Sequence, residues 1–234
     1  MTFCYESIKP GYYDEIFHKR LGIQSFWHRL KFAGIQRCLP QGIESVLDVG
    51  CGPGTFLGNF LPKAVKGIGI DIAQPQIDYA CAKYQQSHID FMCTADILPF
   101  DHDHFDVVTC IELIEHLKPK EVSHLLHEIR RVLKPGGTFI LTTPNYAGFW
   151  PIVEWFVNHL SPISYKEQHI TKFRKKTLAK LLQQHGFKTK VSRYMGFAPF
   201  TACFSPEFCL GFANLERHME AAYGMLLLAT GCKI

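Results

Sequence analysis

The 234-residue sequence contains no uncharged apolar run of the ~18 residues that would suggest a membrane span. Its first residues, Met1-Thr2-Phe3-Cys4-Tyr5-Glu6, lack the basic stretch and apolar core of a secretory signal. Nine cysteines are present, but no two form a C-x-x-C pair, which argues against a zinc knuckle or a disulfide framework. Several, such as Cys110 in Val107-Val108-Thr109-Cys110-Ile111, sit in apolar runs, as core thiols of a reducing compartment do. A cytoplasmic location is therefore expected. Charge of one sign is also scarce: 25 Lys and Arg against 21 Asp and Glu leave a net +4, spread out except at Lys172, Arg174, Lys175 and Lys176. Without a strongly basic domain or a separate RNA-binding module, no nucleic-acid partner is expected. Internal repeats and low-complexity segments are absent.

What is present is a chain able to build a core, with 47% hydrophobic and 20% charged residues, read as one domain over 1–234. Short β-branched runs alternate with helical patterns, the mark of an α/β fold with a mostly parallel sheet and helices on both faces. Residues 1–43 read as a helical cap, with a helical region over 12–39 that has Phe17, Leu21, Phe26 and Leu30 as apolar positions and Pro40 as its stop. Seven strands are predicted: 45–50, 65–71, 88–94, 105–111, 138–142, 187–192 and 225–230, the last at the core of the sheet. Pro75 starts one helix, another runs over 119–133 to the stop Lys134-Pro135-Gly136-Gly137, and a third spans 175–185 with Gly186 after it. Two aromatic segments, 146–170 and 195–221, interrupt this rhythm and are read as insertions forming the acceptor side of a site.

Gly50-Cys51-Gly52-Pro53-Gly54 follows a hydrophobic strand. Its glycines let the backbone approach a ligand, and the next helix presents its N-terminal N–H groups there. Asp71 ends the second strand, where a carboxylate reaches ribose hydroxyls in dinucleotide folds. Ala95-Asp96-Ile97-Leu98-Pro99-Phe100 places an acid and apolar groups where an adenine could be sandwiched. A nicotinamide-type G-x-G-x-x-G is excluded, because the third glycine comes one residue too early.

Val46-Leu47-Asp48-Val49-Gly50-Cys51-Gly52-Pro53-Gly54, Asp71, Ala95-Asp96 and Leu133-Lys134-Pro135-Gly136-Gly137, in this order, resemble class I methyltransferases dependent on S-adenosylmethionine (SAM), over residues 44 to about 194. The resemblance implies a Rossmann-like, seven-stranded fold. It implies that Asp48 supports the turn, Gly50 and Gly52 meet the methionine part of SAM, Asp71 holds the ribose diol, and Asp96 with Ile97 frames the adenine. Cys51, Ile72 and Ile111 complete the expected cofactor set. Arg29 is the expected partner of the SAM carboxylate, with Arg20, Lys31 or Arg37 as alternatives.

After the fourth strand, Glu112, Glu115 and His116 stand at i, i+3 and i+4, so a helical turn would put two carboxylates and an imidazole on one face. Such a pair of acids is costly without a positive charge between them, and Mg²⁺ or Zn²⁺ suits the set. The alternative is that Glu115-His116 only caps the turn. The E-x-x-E-H pattern resembles the metal site of ubiquinone-synthesis O-methyltransferases and of small-RNA 2′-O-methyltransferases. Thr142-Thr143-Pro144-Asn145, the aromatic insertion and Glu167-Gln168-His169 follow the layout of the first group, which makes His116 and His169 the expected catalytic residues and His169 a candidate fourth ligand. Pro53 stands where that group has a glycine, and 195–214 has no counterpart in it.

Phe149-Trp150-Pro151-Ile152-Val153-Glu154-Trp155-Phe156-Val157 is apolar for a loop beside a site. It is read as a lid over a bulky apolar acceptor, with peripheral membrane contact as the other use, supported by Lys166 and the nearby basic run. The expected activity is O-methylation of a phenolic or lipid-like small molecule with divalent-metal assistance. The alternatives are metal-free methylation of a sugar or natural product, and a SAM-binding protein without turnover.

Overall fold

The computed structural model describes residues 8–94, 97–160, 168–218 and 223–234. Short apolar runs build the sheet. β1 (Ser45–Val49) pairs in parallel with β2 (Lys66–Asp71) on one side and β4 (Phe105–Ile111) on the other. β3 (Ile89–Cys93) and β5 (Leu133–Pro144) extend this parallel set outward. β7 (Leu226–Lys233) then inserts antiparallel between β5 and β6 (Phe187–Tyr194), giving the order β3-β2-β1-β4-β5-β7-β6. Strand succession reverses between β1 and β4, and in an open α/β sheet that reversal opens a crevice at the carboxyl ends of the strands.

Helices cover both faces, which is why Val46, Leu47, Val107 and Val108 are fully buried and their strands read as unbroken apolar runs. On one face lie α5 (Pro119–Val132) and α7 (Lys175–Gln184). Val122, Leu126, Ile129 and Val132 of α5 recur at helical spacing and are buried, each contributing ~1.5–3 kcal/mol of apolar burial. Pro119 begins α5, and the Lys118 N–H donates to Glu121 Oε2 at 2.8 Å. On the other face α2 (Ile23–Gln36), α3 (Thr55–Phe60) and α4 (Gln74–Tyr84) bury Ile35, Phe56, Leu57, Ile77 and Ala80.

Several expectations need correction. The N-terminal cap is two helices, α1 (Tyr12–His18) and α2, separated by a turn with Arg20 and Gly22 at positive φ, so Leu21 is exposed and not a core position. β5 absorbs Lys134-Pro135-Gly136-Gly137, with a register shift against β4 between Phe105 and Val107. The apolar 149–157 segment is not a loop: Trp150–Leu160 is helix α6. The second insertion likewise contains α8 (Ala198–Thr201) and α9 (Pro206–His218). Among the described residues no helix is long and apolar enough to cross a membrane.

Candidate functional site

The carboxyl ends of β1, β2 and β4 open into a cavity of about 1140 Å³. Gly50, Gly52 and Gly54 have φ of 73°, 51° and 75°, a left-handed conformation that favours glycine and bares the backbone of the loop. A Cβ on Gly50 would also lie 2.9 Å from Leu113. The loop is anchored to β2, because Gly50 N–H and Cys51 N–H both donate to Ile70 O, at 2.9 and 3.0 Å.

The carboxylate that holds the turn is that of Asp71: its Oδ2 accepts from Gly52 N–H at 2.8 Å and its Oδ1 from Ala73 N–H at 2.9 Å. Asp48, expected in that role, is instead held across the sheet by the Thr109 hydroxyl at 2.6 Å, and burial pushes its pKa up to about 7. Asp48, Gly50, Cys51, Gly52, Asp71, Ile72, Ile97 and Ile111 all line the cavity. Ile72 and Ile97 are 61% and 64% exposed, two apolar side chains held open there. Asp96 lies outside the described residues, as do Lys166 and Glu167.

Arg29 is not part of this cavity. Its guanidinium donates to Phe17 O at 2.9 Å and lies over the Phe17 ring, so its work is to join α2 to α1. The cation of α2 that does line the cavity is buried Lys31, which forms an ion pair with Glu112. Burial opposes ionisation of Glu112, but the Lys31 ammonium beside it outweighs this and holds its pKa below the ordinary value.

The predicted helical turn is reduced to a 3₁₀ turn over Ile114–His116, and Glu112 stands outside it at φ 50°. The grouping that forms differs accordingly: Glu115, His116 and His169 each bring a ligand-type atom to within 4.8 Å of the others, while Glu112 is engaged by Lys31. Glu115 is buried, with Oε2 accepting from the Thr143 hydroxyl at 2.9 Å. Its backbone carbonyl accepts from Ile170 and Thr171 N–H at 2.8 and 3.0 Å, stitching the β4 turn to the segment that carries His169. Burial, with Glu112 adding repulsion, pushes the Glu115 carboxyl up to about 8. Burial pushes His116 down to about 4 and also lowers His169, so both imidazoles are neutral at pH 7.

Each imidazole is oriented through Nδ1. His116 Nδ1–H donates to Gln168 O at 3.0 Å, and His169 Nδ1 meets Glu154 Oε1 at 2.8 Å. The Tyr146 hydroxyl donates to the same Glu154 oxygen at 2.8 Å. Such contacts select the tautomer with its lone pair on Nε2, the arrangement found behind metal-bound histidines. The donor set, a carboxyl that would give up its proton to a bound cation and two neutral imidazoles with held Nδ1 positions, fits a divalent ion. Glu154 and Tyr146 were not among the expected site residues; the one sequence signal was an acid inside an otherwise apolar run.

The sequence matches the methyltransferase-domain family over residues 23–191. It is 34% identical over 120 residues to an uncharacterized methyltransferase of Bacillus subtilis, covering 50% of this chain and 46% of that protein. It is 32% identical over 120 residues to the ubiquinone biosynthesis O-methyltransferase of Coxiella burnetii, covering 50% of each. The chain thus matches about half the length of these curated relatives. A SAM-dependent methyltransferase of Archaeoglobus fulgidus shares the fold with a TM-score of 0.65 at 21% identity, over 95% of this chain and 100% of that one. With the glycine loop at the end of β1, the acid at the end of β2 and a family match running from α2 to β6, the chain belongs to the class I SAM-dependent methyltransferase family.

Proposed function

We propose that the chain transfers the methyl group of SAM to an oxygen of an apolar small molecule, with a divalent ion held by Glu115, His116 and His169. The observation that carries this reading is that the glycine loop and the Glu115-His116-His169 cluster line one cavity, whose 1140 Å³ exceeds what a single small ligand needs. On the cofactor side, Asp71 keeps lone pairs beyond its two backbone contacts for a ribose diol, and Ile72 and Ile97 offer apolar surfaces to an adenine. Lys31 takes the place expected of Arg29 as the cation for the SAM carboxylate.

SAM supplies an electrophilic methyl group, and a bound divalent ion would lower the pKa of the acceptor hydroxyl. The displacement is in-line and depends mainly on proximity. The chain supplies that by fixing both imidazoles through Nδ1 and by walling the acceptor side with Trp150, Val153 and Val157 of α6. A second reading rests on the His169–Glu154 contact: an imidazole oriented by a carboxylate is also a general base, and it would serve without a metal.

The two readings separate on chelation. In assays of S-adenosylhomocysteine formation with a phenolic lipid acceptor, EDTA should abolish turnover and Mg²⁺ or Zn²⁺ should restore it, while S-adenosylhomocysteine still binds. Turnover indifferent to EDTA would leave His169 as the base.

The tryptophans of α6 split between two tasks. Trp150, 6% exposed, packs on Trp27 with ring centroids 5.4 Å apart and lines the cavity, whereas Trp155, 56% exposed, points outward beside Ile152 and Phe156. Trp150→Ser is expected to raise acceptor KM by roughly tenfold or more, from about 2 kcal/mol of lost apolar contact, without changing SAM affinity. Trp155→Ser should leave KM unchanged and reduce partitioning onto phospholipid vesicles, since an exposed Trp settles at a lipid interface. Equal kinetic effects of the two variants would reject this division.

A further inference from the structure

A second cavity, of about 280 Å³, lies between α2, β6 and α9, away from the cofactor loop. Three cations line it with their side chains: Arg37 just past the end of α2, Lys190 from β6 and Arg217 from α9, whereas the Arg193 side chain leaves β6 on the opposite face, with Val191. Among the described residues none of the three forms an ion pair with a carboxylate, and Arg37 makes a neutral contact, donating to the Tyr194 hydroxyl at 2.9 Å. The one acid in the lining, Glu216, is occupied by the backbone N–H groups of Gly196, Phe197 and Ala198. The cations share the same space: Arg37 and Lys190 both act on the Cys38 thiol, and Arg37 and Arg217 both act on the Tyr194 phenol.

Like charges brought together around a concavity repel unless an anion joins them. Two of the three are guanidiniums, whose planar forks suit the oxygens of phosphate, and the cavity admits such a group with its immediate substituent. We infer that this cavity between α2, β6 and α9 binds a phosphate group, carried either by a soluble phosphorylated molecule or by a phospholipid headgroup. For the second source, exposed Phe208 and Leu215 offer apolar surface on α9, the helix that carries Arg217. This inference does not depend on methyl transfer, because none of the three cations lines the first cavity.

The test is calorimetric titration of the full chain with pyrophosphate at low ionic strength, beside flotation with phosphatidylcholine vesicles with and without phosphatidylglycerol. The double variant Lys190→Gln/Arg217→Gln removes two charge-assisted contacts and should weaken binding about a hundredfold. Its melting temperature and S-adenosylhomocysteine affinity should match wild type, which shows that it folds. Pyrophosphate binding that the variant loses, without vesicle binding, assigns a soluble ligand. Phosphatidylglycerol-dependent flotation that the variant loses assigns a headgroup. A wild-type chain that binds neither probe, or a variant that binds as wild type does, overturns the site.

Discussion

His169→Ala should lower kcat by roughly 10²- to 10⁴-fold, the range for loss of a positioned acid–base group, while leaving S-adenosylhomocysteine affinity unchanged. Both readings of the site require this imidazole, as ligand or as base, and the glycine loop proposed to meet the cofactor is not built from it. Glu154→Gln is more diagnostic. Removing an orienting partner should cost about 10- to 100-fold in metal affinity or activity. It should also move the pH profile in a defined direction. Burial lowers the His169 pKa, and the Glu154 charge works against that effect. The neutral imidazole is the competent form, so the contribution of His169 is present at neutral pH and is lost as pH drops through the lowered pKa. Without the Glu154 charge that pKa drops further, and the acid limb should move to lower pH even as kcat decreases. An acid limb that stays in place or moves upward would show that Glu154 does not act on His169.

The parts of this site that were legible in the sequence are those in which one local pattern decides the outcome. β1, β2 and β4 are buried on both faces and read as apolar runs, and the glycine loop announces a backbone that only glycine adopts readily. α5 shows its buried stripe because exposed residues alternate with it. α6 hides its stripe, since almost every position from Phe149 to Val157 is apolar and no polar face marks the helical period. Arg29 and Lys31 are two positions apart and therefore point to different sides of α2. Periodicity places both on a helix, but only the packing of α2 against α1 decides which one meets the cavity. Glu112 fails for a different reason: a left-handed backbone at a glutamate has no sequence signature, and without it an E-x-x-E-H run reads as a regular turn. Such a conformation in a non-glycine residue costs of order 1–3 kcal/mol and concentrates at functional sites. The ion pair with Lys31 and the Glu112 N–H donating to Thr142 O at 3.0 Å are what hold it there.

Asp14→Ala should destabilise the chain by about 3–5 kcal/mol, the cost of removing one member of a buried charged network. For a chain of this length that is on the order of 10 °C in melting temperature. Asp14, in α1, is fully buried. Its carboxylate accepts from the Thr55 hydroxyl of α3 at 2.8 Å, from the Tyr79 and Tyr84 hydroxyls of α4 at 2.9 and 2.5 Å, and from Lys83. Three helices therefore meet on one side chain, and α1 also supplies Tyr13 and Ile16 to the cofactor cavity. Releasing α1 should weaken S-adenosylhomocysteine binding as well as stability, a coupling that trimming an ordinary core residue would not produce. Burial opposes the charge of Asp14, but its hydrogen-bond donors outweigh that and lower its pKa. A carboxyl whose folded pKa is depressed contributes stability above its unfolded pKa and loses it as pH falls through the folded value. The gap between wild type and Asp14→Ala should therefore be widest near neutral pH and narrow in acid, as thermal melts across pH would show. A gap that is constant with pH would mean that Asp14 acts through packing alone, and unchanged S-adenosylhomocysteine affinity would mean that α1 is not needed to close the cofactor cavity.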